Sequence, residues 1–271
     1  MTFRTTSAIG FVVGFALFGS VTFIPLYLQI VKGHSATDSG LLMTPMMLGV
    51  LITSTASGFL ISRYGRYRAF PIAGTAIAAV GLYLLSTLEV ATSTEVAAGY
   101  MLLLGLGLGL VMQVLVLAAQ NAVDYRLLGV ATSGSTMFRQ VGGSIGVSVF
   151  GAIFANRLGH ELAQRAPHGV HVPTSASPAV VQHLPSAIHG LYVVAVAAAL
   201  HPVFLSAASV MLGAFGLSWL LRDVPLRATA GADAPDRDAP ADAHVGRASS
   251  GGSRNAGRGS SVAGVPATLR R

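Results

Sequence analysis

The feature that most constrains this chain is a series of long stretches without Asp, Glu, Lys or Arg. Because a helix rises about 1.5 Å per residue, roughly twenty apolar residues cross the roughly 30 Å hydrocarbon layer of a membrane. Four stretches are uncharged throughout, and a fifth is interrupted only by Arg139. The sequence therefore predicts an all-α, polytopic membrane protein with about six spans, at residues 7–31, 39–62, 69–88, 96–123, 128–156 and 202–221.

The position of the sixth span depends on Pro202. The uncharged run from residue 190 to residue 221 is too long for one simple crossing. Proline has no backbone N–H and disfavours helix at the residue before it. We therefore predict a crossing over 202–221 and an interfacial helix over 186–200, which belongs to an external segment at 157–200.

Composition supports the membrane assignment and excludes other classes of protein. With 52% hydrophobic and 10% charged residues, the chain has too little polar surface to cover a soluble globule. The formal charge of +7 comes from basic residues scattered between apolar runs, without the basic face of a nucleic-acid-binding protein. The absence of cysteine excludes disulfides and thiol catalysis. The predicted environment is a lipid bilayer.

The basic residues also predict the orientation, because Lys and Arg accumulate in cytoplasmic loops. With the N-terminus in the cytoplasm and six spans, the C-terminus is cytoplasmic too. Residues 228–271 are rich in Ala, Gly, Ser, Asp and Arg and predict a disordered cytoplasmic tail, the remainder forming a six-helix domain at 1–227. In this orientation more basic residues lie on the cytoplasmic side than outside. The cytoplasmic ones are Arg4, Arg63, Arg66, Arg68, Arg126, Arg222 and Arg227, and the external ones are Lys32, Arg157 and Arg165.

Glycines four residues apart recur within the predicted spans. This spacing aligns small residues on one helix face and lets two helices approach closely. Generic membrane packing without transport explains any single pair equally well. The pairs are Gly10 with Gly14, Gly105 with Gly109, and Gly142 with Gly146.

A short basic turn closes the second span. Its pattern of Gly58, Leu60, Arg63, Gly65 and Arg66 resembles the loop signature of the major facilitator superfamily. The fullest form of that signature has an aspartate at the position that Ser62 occupies in this chain. The charge-relay role of that aspartate therefore does not carry over. The alternative interpretation is a simple positive-inside loop.

A second resemblance extends over about residues 3–227. Three stretches, residues 23–29, 138–146 and 224–227, are similar in place and order to the C-terminal half of the fourteen-span drug:proton antiporters. The middle stretch includes Arg139, Gly142, Gly143 and Gly146. The resemblance implies export of hydrophobic or cationic solutes, driven by proton entry across a bacterial inner membrane, through alternating access of two six-helix halves. It also implies a partner: a missing N-terminal half or a second copy.

Uncharged polar residues in two spans are candidates for the solute cavity. Tyr27 and Gln29 lie in the first-span stretch that carries the resemblance. In the fourth span, Gln113 and Gln120 are seven residues apart and share a helix face, and Asn121 follows them. These side chains are predicted either to line a cavity or to form interhelical hydrogen bonds.

Arg139 is the one basic residue inside a predicted span. A charged side chain at a helix centre costs roughly 2.5–3.5 kcal/mol on insertion scales. With a helix beginning near Ser133, Arg139 would lie less than two turns inside and could extend to the cytoplasmic surface. We therefore predict that it anchors the helix beside the packing residues Gly142, Gly143 and Gly146, with direct contact to solute as the alternative.

None of the ten acidic residues lies inside a predicted span. Proton-coupled carriers normally need a titratable group within the membrane. The coupling acid therefore lies in a partner half, or this chain does not couple to protons by itself. The external histidines, including His168 and His171 with Glu161 nearby, match no standard metal-ligand spacing, so neither an enzyme nor a metal or cofactor site is predicted. A six-span scaffold without a solute path remains the alternative function.

Overall fold

The computed structural model describes residues 2–65, 67–121, 123, 125–165, 180–181 and 185–220. The chain divides into two units, Met1–Arg227 and Ala228–Arg271, and the second of them coincides with the predicted tail. That tail lies outside the described residues. Within them, the structure is helical: α1 Thr2–Val21, α2 Ile24–Leu26, α3 Ala36–Leu42, α4 Thr44–Tyr64, α5 Ala69–Ser86, α6 Thr94–Asn121, α7 Leu128–Arg165 and α8 Ser186–Ser218.

Among the described residues, six helical segments are long and apolar enough to cross a membrane, which confirms the predicted all-α membrane fold. The first two of these segments each contain more than one helix, joined by a short irregular turn. A π-helical turn, Tyr27–Val31, continues α2, and α3 runs into α4 after a single residue. The segments are Thr5–Val31, Ala36–Tyr64, Ala69–Ser86, Thr94–Asn121, Leu128–Arg165 and Ile188–Ser218.

The last helix differs from the sequence-based expectation. Pro202 lies inside α8, so the predicted division into an interfacial helix at 186–200 and a crossing at 202–221 is not present. Leu200, Val203 and Phe204 on both sides of the proline are buried, and α8 packs along α5. Burial of this continuous apolar face stabilises the helix and outweighs the hydrogen bond that the proline cannot form.

The predicted external segment is also partly helical. At about 1.5 Å per residue, the 38 residues of α7 span about 57 Å and the 33 residues of α8 about 50 Å, well beyond the roughly 30 Å of hydrocarbon. Glu161 lies in the last turns of α7 and forms ion pairs with Arg157 and Arg165. His168 and His171 lie outside the described residues.

Glycine contacts establish how the helices run past one another. Gly14 of α1 meets the backbone of Arg139, and Gly146 of α7 meets that of Phe15, so α1 and α7 are parallel neighbours. The helices α4 and α6 are parallel as well, because Gly105 meets Met46 and Gly109 meets Val50. The α5 helix is antiparallel to α6. The spans therefore alternate in direction.

This alternation gives the bundle two distinct ends. The α4–α5 and α6–α7 connections share one end, where Arg63, Arg68 and Arg126 lie, and we call it the arginine-rich end. The α5–α6 connection, with Glu89, lies at the opposite end.

Candidate functional site

Two helices, α4 and α7, are covered least by the rest of the chain. In the most apolar stretch of each span, only 22% of the α3–α4 residues and 28% of the α7 residues are buried, against 50–56% in the other four. Leu51, Ile52 and Phe59 of α4 are more than half exposed. We call the exposed surfaces of α4 and α7 the uncovered face.

Polar side chains follow one another along α7 on this face. Thr136, Gln140, Ser144 and Ser148 recur every four residues, which places them in one row on the helix. Gln140, Ser144 and Ser148 are exposed and Thr136 is half-buried. We call these four residues the α7 polar stripe; Gly142, Gly143 and Gly146, which pack against α1, are buried.

At the arginine-rich end the stripe opens into a groove of about 570 Å³. The Nε2 group of Gln120 donates to Oγ1 of Thr132 at 3.0 Å and so ties α6 to the edge of the groove. The Thr132 hydroxyl donates in turn to the Leu128 carbonyl at 2.8 Å. The groove is lined by Leu128, Gly129, Thr132, Ser133, Thr136, Met137 and Gln140.

The predicted cavity residues fall into two groups. Gln113 is exposed on α6, and Gln120 and Asn121 are half-buried at its end, near the groove. Tyr27 is buried at the opposite end, where its hydroxyl donates to the Glu89 carbonyl at 2.9 Å, and Gln29 is half-buried in the adjoining π-helical turn. The structure therefore brings Gln120 and Asn121 to the groove end, leaves Gln113 about 10 Å further back along α6, and places Tyr27 in the packed core.

Arg139 lies deeper than the sequence suggests, because α7 begins at Leu128 and not near Ser133. It is the twelfth residue of the helix, about 16 Å along it. Its Nη1 group donates to Met112 Sδ of α6 at 3.2 Å, and its Nε is buried without a hydrogen-bond partner. Among the described residues no carboxylate pairs with it. That Arg139 anchors α7 at the membrane surface stays a prediction.

The loop signature forms the end of α4 and the turn that follows. Gly65 has a φ of +67° and ends α4 in the left-handed conformation, its N–H bonded to the Ile61 carbonyl at 2.9 Å. Nη2 of Arg68 donates to the carbonyl of Trp219 at 2.8 Å and so stabilises the end of α8. Leu60 and Arg63 are exposed, Gly58 lies within α4, and Arg66 lies outside the described residues.

Two glycines of this signature are expected to respond oppositely to alanine. Gly65→Ala should lower the melting temperature of the purified chain, since a side chain at positive φ is strained by about 1 kcal/mol. Gly58→Ala should raise it or leave it unchanged, because a Cβ there meets nothing within 4 Å and alanine favours helix. Thermal unfolding in detergent measures both. Equal responses would contradict this assignment of the turn.

The described side chains along the α7 polar stripe offer hydrogen-bonding groups, and Arg139 lies next to them as a cation. Asp38, Glu89 and Glu95 lie at the opposite end of the bundle, and Glu161 is paired with arginines in the extension of α7. The arrangement suits reversible binding of a solute. The sequence-based prediction missed Thr136 and Ser148 and left Gln140 and Ser144 unassigned, although their four-residue spacing was visible.

Comparisons with known proteins identify the family. The Major Facilitator Superfamily profile matches residues 2–147. An "Uncharacterized MFS-type transporter" of Mycobacterium tuberculosis strain H37Rv is 48% identical over 225 residues, which cover 83% of this chain and 33% of that protein. The "Multidrug transporter protein MdtP" of Bacillus subtilis is 40% identical over 177 residues, 65% of this chain and 32% of that protein.

The fold agrees with these relatives. A solved bacterial homologue of the human lysosomal transporter Spinster, in an inward-facing and unoccupied conformation, superposes with a TM-score of 0.67 at 15% identity, over 81% of this chain and 47% of that one. The chain thus spans about a third of the length of these sequence relatives and about half of that structure. Relatives and structural neighbour are transporters, which confirms the prediction that this protein is not an enzyme. By sequence and by fold, the chain belongs to the major facilitator superfamily.

Proposed function

We propose that this chain is one six-helix half of a proton-driven exporter of hydrophobic or cationic solutes. The arginine-rich end, with both termini, faces the cytoplasm of a bacterial cell, and the uncovered face meets an N-terminal half or a second copy. The names of two relatives support drug transport: the Bacillus subtilis multidrug transporter and a tetracycline resistance determinant of Streptomyces rimosus, 38% identical over 154 residues.

The α7 polar stripe is the observation that carries the proposal. Hydroxyl and amide groups that face hydrocarbon without partners are costly, so a helix face in contact with lipid is normally apolar. Val141, Ile145 and Val149 lie beside the stripe and are also more than 40% exposed. A face that mixes these apolar side chains with Gln140 and Ser144 fits a wall of a water-filled pathway and a partner helix better than it fits lipid alone.

In this proposal the groove supplies the solute-binding groups, and Arg139 supplies a counter-charge for the coupling acid. The groove offers neutral hydrogen-bonding side chains from α6 and α7, which suit a partly apolar solute. The coupling acid comes from the partner half, because the acidic residues in the described spans lie at helix ends or in the outer part of α7. Arg139, half-buried and without a carboxylate partner among the described residues, is the cation that such an acid would face.

A chimera tests the proposal. Residues 1–227 would replace the matching segment of the Bacillus subtilis multidrug transporter, and ethidium efflux would be measured in cells lacking their own exporters. We expect efflux that collapses on adding a protonophore, and little efflux from the chain alone. A correctly folded chimera without efflux would contradict the proposal. Tight binding of the chain to another integral protein, with no effect on solutes, would favour a scaffold instead.

A further inference from the structure

A second cavity lies at the opposite end of the bundle, away from the α7 polar stripe. It has a volume of about 590 Å³ and separates the end of α5 and the turn after it from the middle of α8. The α5 helix ends at Ser86 after 18 residues, about 27 Å, so the cavity sits at the level of the membrane surface. Its wall includes Leu88, Glu89, Val90, Val194, Ala197 and His201.

Hydrogen bonds from the first span hold the turn that forms one wall. The Tyr27 hydroxyl donates to the Glu89 carbonyl at 2.9 Å, and Lys32 Nζ donates to the Val90 carbonyl at 2.8 Å. The Glu89 N–H donates to Oγ1 of Thr92 at 2.9 Å. The backbone of the turn is therefore fixed, and the Glu89 carboxylate takes no part in holding it.

The polar groups around the cavity are mainly acceptors. His201 Nδ1 lies 2.7 Å from the Ser86 carbonyl, so it carries the proton and leaves Nε2 as an acceptor in the neutral ring. Pro202 has no N–H, so the carbonyl of Ala198, four residues earlier in α8 and also in the wall, lacks its helical partner. The Glu89 carboxylate forms no ion pair or hydrogen bond with any described side chain.

The charge and the walls together select a ligand class. The carboxylate of Glu89 and the negative end of the α5 dipole favour a cation, and three acceptors favour one that donates several hydrogen bonds. Lys32 adds a positive charge nearby, but its ammonium group is bound on the Val90 carbonyl and it is not part of the wall. Leu88, Val194 and Ala197 provide an apolar surface beside these groups.

We propose that this cavity binds a primary ammonium group carried on an apolar chain, with the ammonium near Glu89 and His201 and the chain along α8. Two kinds of molecule carry such an ammonium group: a free alkylamine, and a membrane lipid with an ethanolamine headgroup. The proposal is independent of the transport function.

The test uses the full chain purified in maltoside detergent, with decylamine as the free-amine probe in calorimetric titrations. We expect saturable binding that Glu89→Gln weakens at least tenfold and that Val194→Trp, which fills the cavity from an exposed position, abolishes. Glu95→Gln, at the same end but outside the wall, serves as the matched control and should bind as the unmodified chain does. Decyltrimethylammonium, which has no N–H, should bind at least tenfold more weakly.

Native mass spectrometry provides the lipid arm, comparing retention of phosphatidylethanolamine with that of phosphatidylcholine. Preferential retention that Glu89→Gln removes identifies the lipid as a source, whereas amine binding without it identifies the free amine. Should Val194→Trp fail to fold, Glu89→Gln decides, because an exposed carboxylate is replaced by an amide of the same shape. The proposal would be overturned if Glu89→Gln bound decylamine and phosphatidylethanolamine as the unmodified chain does. It would also be overturned if the unmodified chain bound neither of these two molecules saturably.

Discussion

Gly146→Leu is expected to prevent the chain from folding into a stable bundle. A Cβ at this position overlaps the backbone carbonyl of Phe15, which cannot move aside as a side chain can. Gly142 meets the carbonyl of Phe11 one turn earlier in the same way. Because overpacking a well-packed interface typically costs about 1–3 kcal/mol, and more when backbone must move, leucine should separate α1 from α7.

The matched control is Gly151→Leu on the same helix. A Cβ at Gly151 meets nothing within 4 Å, so leucine there should leave the bundle intact. Size-exclusion profiles and melting temperatures in detergent distinguish the two variants. If both variants behaved alike, close approach of α1 and α7 through their glycines would not be what stabilises this side of the fold.

Arg139→Met is expected to separate stability from transport. Methionine removes a half-buried guanidinium whose buried Nε has no hydrogen-bond partner and whose Nη1 is bonded only to a weak thioether acceptor. Burying an ionised group in hydrocarbon costs several kcal/mol on most scales, so the melting temperature should be unchanged or higher. In the chimera with the Bacillus subtilis transporter, ethidium efflux should fall at least tenfold, because the partner's acid loses its cation.

Two further variants sharpen this result. Arg139→Lys keeps the charge and should retain part of the efflux, although lysine cannot form a planar bidentate pair with a carboxylate. Arg126→Met removes an exposed arginine just before α7 and should leave the efflux of the chimera nearly unchanged. Full efflux by Arg139→Met would assign Arg139 to packing alone.

The membrane fold was predictable because a span needs only length and the absence of charge, and both are local properties. The close approach of the helices was also visible, since the pairs Gly105 with Gly109 and Gly142 with Gly146 both meet backbone of a neighbouring helix. The continuity of α8 was not predictable from Pro202 and its neighbours. It depends on α5 burying both sides of the proline, which is a tertiary effect.

The position of Arg139 along α7 has a similar origin. The α7 helix begins five residues before Ser133, and that shift moves the arginine more than one turn deeper. The α7 polar stripe was overlooked because the same stretch carries the glycines of the opposite helix face, which dominate its composition. Which of the two faces is covered depends on α1, far away in the sequence.

The direct test of a solute pathway along the uncovered face is thiol labelling in a bilayer. The chain has no cysteine, so an introduced thiol is its single labelling site, and any cysteine in the rest of the chimera would first be replaced by serine. Gln140→Cys and Ser144→Cys on the α7 polar stripe would be compared with Leu212→Cys, an exposed apolar position on α8. In the chimera, a water-soluble maleimide should label both stripe positions and not Leu212→Cys, and a transported solute should slow the labelling. Stripe positions that resist the reagent as fully as Leu212→Cys does would show that the stripe faces lipid, and would contradict the account.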